Sequence, residues 1–139
     1  MATQKSSQRG FSLIELLITL AIIGTLTSIA YPSYTTHIAH VRRTQAEIVL
    51  IDLAARLEQY YEKNNSYQNA TLSELGVGEL TDGSYYQLAI ENANENTYQI
   101  SATPHLGQAK SDNLCGTLSL NQDGTKKNSG TSTMADCWS

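Results

Sequence analysis

Apolar and polar positions divide this chain into three stretches with different periods. Residues up to Gly10 are polar and carry Lys5 and Arg9. From Phe11 the chain turns apolar, Glu15 is its lone early charge, and no charged residue occurs between Leu16 and Thr36. As a helix, that run of about 21 residues rises about 32 Å, enough to cross the hydrocarbon core of a bilayer. Beyond Pro32 apolar residues return at helical spacing. Ala46, Leu50, Leu53, Leu57 and Tyr60 make one stripe, with Arg43, Glu47, Arg56 and Glu58 expected largely off it. The pattern predicts a long helix from Phe11 to about Lys63, ended by Asn64 and Asn65, which tolerate left-handed geometry.

The period then changes. Residues 70–83, with Gly76, Gly78 and Gly83 among Leu72, Leu75 and Leu80, read as a loop with one short helical turn. Tyr85 to Ile90, Thr97 to Ala102 and Cys115 to Leu120 read as short strands, rich in Tyr, Ile, Thr and Leu and separated by Asn, Gly and Asp clusters. Asn121-Gln122-Asp123-Gly124 is a hairpin signal that pairs the third strand with a fourth beginning at Thr125. The fold class expected is α+β, a long N-terminal helix packed on a small antiparallel sheet that hides the stripe. Tyr60, Tyr61 and Tyr67 are expected at the edge of that core, hydroxyls outward.

Composition narrows the function. The chain has 139 residues, one domain's worth, with 9 basic and 13 acidic side chains. That balance argues against a general nucleic-acid surface. Lys5 and Arg9, just before the apolar run, favour keeping that end cytoplasmic and the rest outside. Two cysteines, Cys115 and Cys137, in an exported chain most simply form one bridge, and nothing near them supplies two further ligands at zinc-site spacing.

Gly10-Phe11-Ser12-Leu13-Ile14-Glu15-Leu16 closely resembles the processing motif of class A type IV prepilins. A glycine, an aromatic and a misplaced acid in fixed register make the motif specific. The resemblance implies cleavage between Gly10 and Phe11 by a prepilin peptidase and N-methylation of the new Phe11 amine. It also implies a role in assembly for Glu15, which can meet the Phe11 ammonium of a neighbouring subunit and set their stagger. Gly24 and Pro32 match the family's glycine and proline, with weakened helical order expected between them in filaments and a kink at Pro32. Cys115 to Trp138 looks like the ending of small pilins, where the disulfide ties the last segment to the sheet. The expected organisation is a leader at 1–10, a transmembrane and polymerisation segment at 11–33 and an exported head at 34–139. The subunit is expected in the bacterial inner membrane and then on a surface pilus, with other pilin subunits, the peptidase and an inner-membrane assembly platform as partners. No cofactor is expected. The resemblance leaves nucleic acid open as a partner.

Other readings make different predictions. A secretory signal cut after Ser28-Ile29-Ala30 gives a mature chain starting at Tyr31, but a glutamate inside an h-region is disfavoured. A type II secretion pseudopilin shares the first thirty residues and commonly uses a calcium loop, for which Asp112, Asp123 and Asp136 are available. A DNA-binding competence pilin would draw on Lys126 and Lys127, although adjacent lysines on a polar loop are usually just solvated. His37 and His40 lack a third ligand at matching spacing, and no nucleophile elbow, phosphate loop or Cys-x-x-Cys motif occurs, so no enzyme is expected.

Overall fold

The computed structural model describes residues 10–138. Of the leader expected at 1–10, all but Gly10 lies outside the described residues. The chain divides into two compact units, one ending at Tyr34 and the other, the head, beginning at Thr35. Helix α1 (Leu13–Asn64) supplies residues to both units. Its end is set by Asn65 at φ 53°, whose amide donates to the Tyr61 carbonyl at 2.7 Å.

Within the head, four strands form an antiparallel meander in the order β1 (Tyr86–Ala93), β2 (Tyr98–Pro104), β3 (Leu118–Asn121) and β4 (Lys126–Asn128). Alternation along β1 and β2 turns Tyr86, Leu88, Tyr98, Ile100 and Ala102 to the core, where they meet Ala46, Leu50, Leu53 and Leu57 of α1. In β1, Glu91 is the extra residue of a bulge between Ile90 and Asn92, and its carboxylate accepts from the buried Ser101 hydroxyl at 2.5 Å. Residues 72–76 form turns, Leu80 makes an isolated antiparallel bridge to Gln87, and a single 3₁₀ turn follows at Asp82–Ser84. Short helices α2 (Gly107–Ser111) and α3 (Met134–Cys137) flank β3 and β4 in sequence.

Two expectations need correction. Arg43 and Glu47 are not off the helix stripe but buried, 7% and 3% exposed. The buried positions run Ala39, Arg43, Ala46, Glu47, Leu50, Leu53, Leu57, so the stripe begins two turns earlier than the apolar residues alone indicated. Second, β3 starts at Leu118, not Cys115. The amides of Cys115 and Gly116 turn back to the Asp112 carbonyl, and Gly116 stands at φ 65°, a turn geometry that excludes strand.

Candidate functional site

The first candidate region is the start of α1. Gly10, Phe11 and Ser12 precede the helix, and the Ser12 carbonyl accepts from the amides of Glu15 and Leu16 at 3.1 and 3.2 Å. Glu15 thus stands in the first turn, where an acid is favoured by the helix dipole. Every residue from Phe11 to Tyr34 is exposed, including Phe11 at 82%. This surface is apolar around its whole circumference, so it needs lipid or protein around it. The polar side chains within it are satisfied by the helix itself: Thr19 donates to Leu16 and Glu15 carbonyls, and Thr25, Thr27 and Ser28 donate to Ile22, Ile23 and Thr25 at 2.7 to 2.8 Å. Pro32 lies inside α1 and does not end it. At Gly24 a Cβ would meet nothing of this chain within 4 Å, so any packing demand for glycine comes from a neighbour.

The second region is a buried polar cluster within the head, between α1, β1 and α2. The Arg43 guanidinium pairs with the Asp112 carboxylate and also donates to the Asp136 carbonyl at 3.1 Å. The other Asp112 oxygen accepts from the Tyr86 hydroxyl. Gln108, fully buried on α2, donates from Nε2 to the Ala39 carbonyl at 2.9 Å and to Tyr86 Oη at 3.2 Å. Because Ala39 O can only accept, the amide orientation is determined. The chain of donors therefore runs from Gln108 through Tyr86 to Asp112, with Arg43 closing it. Sequence reasoning missed this network. The available signal was the spacing of Ala39, Arg43 and Ala46, which continues the stripe through a charged residue.

The tail is closed by the Cys115–Cys137 disulfide, 22 residues apart. Gly130 lies so close to this turn that a Cβ there would stand 1.9 Å from the Leu114 carbonyl oxygen, and its amide donates to the Cys115 carbonyl. Trp138 is buried, donates to the Lys127 carbonyl at 3.2 Å and has the Lys126 ammonium 5.0 Å from its ring centroid. Reduction of the disulfide is expected to destabilise the head by about 3 kcal/mol in the chain-entropy picture. Denaturant melts with and without reductant check this, and a chelator should leave the midpoint unmoved. The three acids suggested for a calcium loop have separate partners: Asp112 takes Arg43, Asp136 accepts from the Thr133 hydroxyl, and Asp123 accepts from the Thr125 amide. Among the described residues no group of three or more His, Cys, Asp or Glu side chains is placed to hold a metal ion.

At the far end of the core the tyrosines interlock. Tyr67 stacks 4.6 Å from Tyr61 and edge-on at 4.9 Å to Tyr98, and its hydroxyl donates to the Glu58 carboxylate at 3.0 Å. Burial, then the hydrogen bond and charge of Glu58, push the Tyr67 phenol from 10.0 up to about 12. Burial likewise raises Tyr98, helped by the Glu58 charge, and Tyr86, helped by its bond to Asp112. Folded phenols with raised pKa values stabilise the head fully below the ordinary value, and that stability is lost as pH rises through the folded values. The head is therefore expected to lose stability from about pH 10 to 12. Tyrosine absorbance and circular dichroism followed together should show these phenols ionising as the fold is lost, and ionisation at ordinary pH without unfolding would contradict it.

Residues 32–119 match the family model described as type IV minor pilin ComP, DNA uptake sequence receptor, and residues 5–31 match the prokaryotic N-terminal methylation motif. The type IV major fimbrial protein FimA of Dichelobacter nodosus is 31% identical over 117 residues, which cover 76% of this chain and 73% of FimA. A fimbrial protein of Pseudomonas aeruginosa is 33% identical over 129 residues, covering 85% and 82%. In fold, the chain is similar to the Neisseria meningitidis non-core minor pilin PilV, with a TM-score of 0.57 at 20% identity over 74% of this chain and 96% of that one. A type IV pilin of Shewanella oneidensis gives 0.51 at 24% over 73% and 98%. These are structural fimbrial proteins and not enzymes. From its methylation motif through the sheet of its head, this chain belongs to the type IV pilin family, in the minor-pilin group described by ComP.

Proposed function

We propose that this pilin is a fibre subunit cut between Gly10 and Phe11 by a prepilin peptidase, methylated on the Phe11 amine and polymerised through α1. The observation that carries the reading is the apolar helix surface from Phe11 to Tyr34, exposed throughout and bearing one acid in its first turn. Before assembly the bilayer covers that surface, with the head on the periplasmic side. In the fibre the helices of other pilin subunits cover it. Moving from lipid to protein contributes little hydrophobic energy, so packing at Gly24 and Pro32 and the pairing of Glu15 with a neighbour's Phe11 ammonium supply the specificity. Extraction from the membrane then needs an inner-membrane assembly platform. Mass spectrometry of sheared surface fibres tests this: the chain should be present and begin at N-methylated Phe11, and a mature chain beginning at Tyr31 would sink it.

A second reading, a receptor for DNA during uptake, is favoured by the ComP family model. Charge placement weighs against a broad DNA surface. Loss of Lys5 and Arg9 leaves 7 basic side chains against 13 acidic ones. Of the seven, Arg43 is buried on Asp112, Arg56 pairs with Asp52 and Arg42 lies 3.7 Å over the Tyr85 ring. DNA contact would fall to Lys63, Lys110, Lys126 and Lys127, too few for the salt-dependent affinity of a general DNA binder.

A further inference from the structure

We propose that Asn64, the last residue of α1, is an acceptor for an N-linked oligosaccharide delivered from a polyprenyl-diphosphate donor by a bacterial transferase. The inference rests on export of the head, as in the reading above.

Two Asn-x-Ser/Thr triplets occur in the head, Asn64-Asn65-Ser66 and Asn69-Ala70-Thr71. They differ two residues before the asparagine, where the first has Glu62 and the second has Tyr67. Bacterial transferases of this class favour an acid at that place, because a cationic group of the enzyme can hold it in a charge-assisted pair. Glu62 is exposed, and among the described residues its carboxylate has no ion pair.

Folding separates the two triplets further. A transferase takes its acceptor as an extended segment, so the residues from two before to two after the asparagine must come free of the fold. Around Asn64 this is undemanding. Glu62, Lys63, Asn64 and Asn65 are exposed and Ser66 is half-buried. The bonds to be opened are few: Asn64 Nδ2 donates to the Tyr60 carbonyl at 2.9 Å, the Asn65 amide donates to Tyr61 at 2.7 Å, and the Ser66 hydroxyl accepts from the Gln68 amide at 3.0 Å. A helix end opens more readily than a helix middle, and Asn65 at φ 53° has already left helical geometry.

Around Asn69 the same opening would break the core. Tyr67 and Ala70 are 5% and 8% exposed. Tyr67 would lose its ring contacts with Tyr61 and Tyr98 and its bond to Glu58. The Thr71 hydroxyl, which the second triplet must present, is bonded to the Glu74 amide and carboxylate. One triplet is therefore available in the folded head and the other is not.

In the transfer, Asn64 Nδ2 attacks C1 of the first sugar. The N–C1 bond forms as the C1–O bond to the diphosphate breaks, the polyprenyl diphosphate leaves with that electron pair, and one Nδ2 proton passes to a base of the transferase. The nitrogen keeps its second hydrogen, so its bond to the Tyr60 carbonyl can form again with the sugar in solvent.

The test is co-expression of the full chain in a bacterium with a bacterial oligosaccharyltransferase and an undecaprenyl-diphosphate-linked oligosaccharide that begins with an N-acetylated sugar. Peptide mass spectrometry of the membrane fraction reads occupancy at both asparagines and the state of the cysteines together. Sugar is expected on Asn64 and not on Asn69. Glu62→Gln, which alters only an exposed side chain, should lower occupancy about tenfold, as loss of one charge-assisted pair implies. Ser66→Ala should abolish it. A bare Asn64 in molecules whose Cys115–Cys137 bridge has formed would overturn this proposal and leave the fibre reading standing. Sugar on Asn69 in place of Asn64, or unchanged occupancy in Glu62→Gln, would overturn it as well. Free thiols at both cysteines would overturn export of the head, and the inference with it.

Discussion

Asp112→Ala is expected to destabilise the head by about 3 to 5 kcal/mol, because it leaves the Arg43 guanidinium charged and buried with no carboxylate. The Arg43 and Asp112 side chains are only 9% and 4% exposed, so water cannot easily take over. Asp112 also accepts from the Tyr86 hydroxyl, which bonds Gln108, which in turn holds the Ala39 carbonyl, so one deletion disturbs four residues on three elements. Arg43→Ala should cost a similar amount. The double replacement Arg43→Met with Asp112→Leu should recover much of the loss, since a buried pair replaced by apolar groups of similar volume is often neutral. Denaturant unfolding of the detergent-solubilised subunit measures all three. Additive losses in the double variant would mean that the two side chains act independently and that the network is not a unit.

The other large effect is expected at Glu15. Replacing it with Ala or Leu removes an acid that insertion scales penalise by about 2.5 to 3.5 kcal/mol at the bilayer centre and less near the interface, so membrane insertion should be preserved or improved. Fibre yield should fall. A Phe11 ammonium left unpaired among apolar helices costs on the order of 3 to 5 kcal/mol, a hundredfold or more in subunit association. Flotation of the membrane fraction and yield of sheared fibres separate the two steps. A variant that inserts and polymerises normally would remove Glu15 as the register contact.

These two sites differ in how far they could be read without a structure. Glu15 was legible because its surroundings are contiguous in sequence: an acid interrupting an apolar run stands out whatever the rest of the chain does. Arg43 was not, because a charge on a helix is usually solvated, and only partners far along the chain, the Asp112 carboxylate and the Asp136 carbonyl, make its burial tolerable. The stripe from Ala46 to Leu57 and the hairpin at Asn121 to Gly124 were likewise local patterns. The start of β3 was not, since Cys115 has strand-like neighbours but its amide is taken by Asp112.

By itself the sequence determined that the chain has an apolar helix long enough to cross a membrane with an acid at its head, a second amphipathic half of that helix, four strand-forming segments and a pair of cysteines. Hydrophobic period and turn chemistry depend on near neighbours, and they survive in any fold that buries the stripe. Only the tertiary structure decided which polar groups of the head are buried together. Those choices depend on long-range geometry, where an ion pair or a strained loop is set by elements dozens of residues apart.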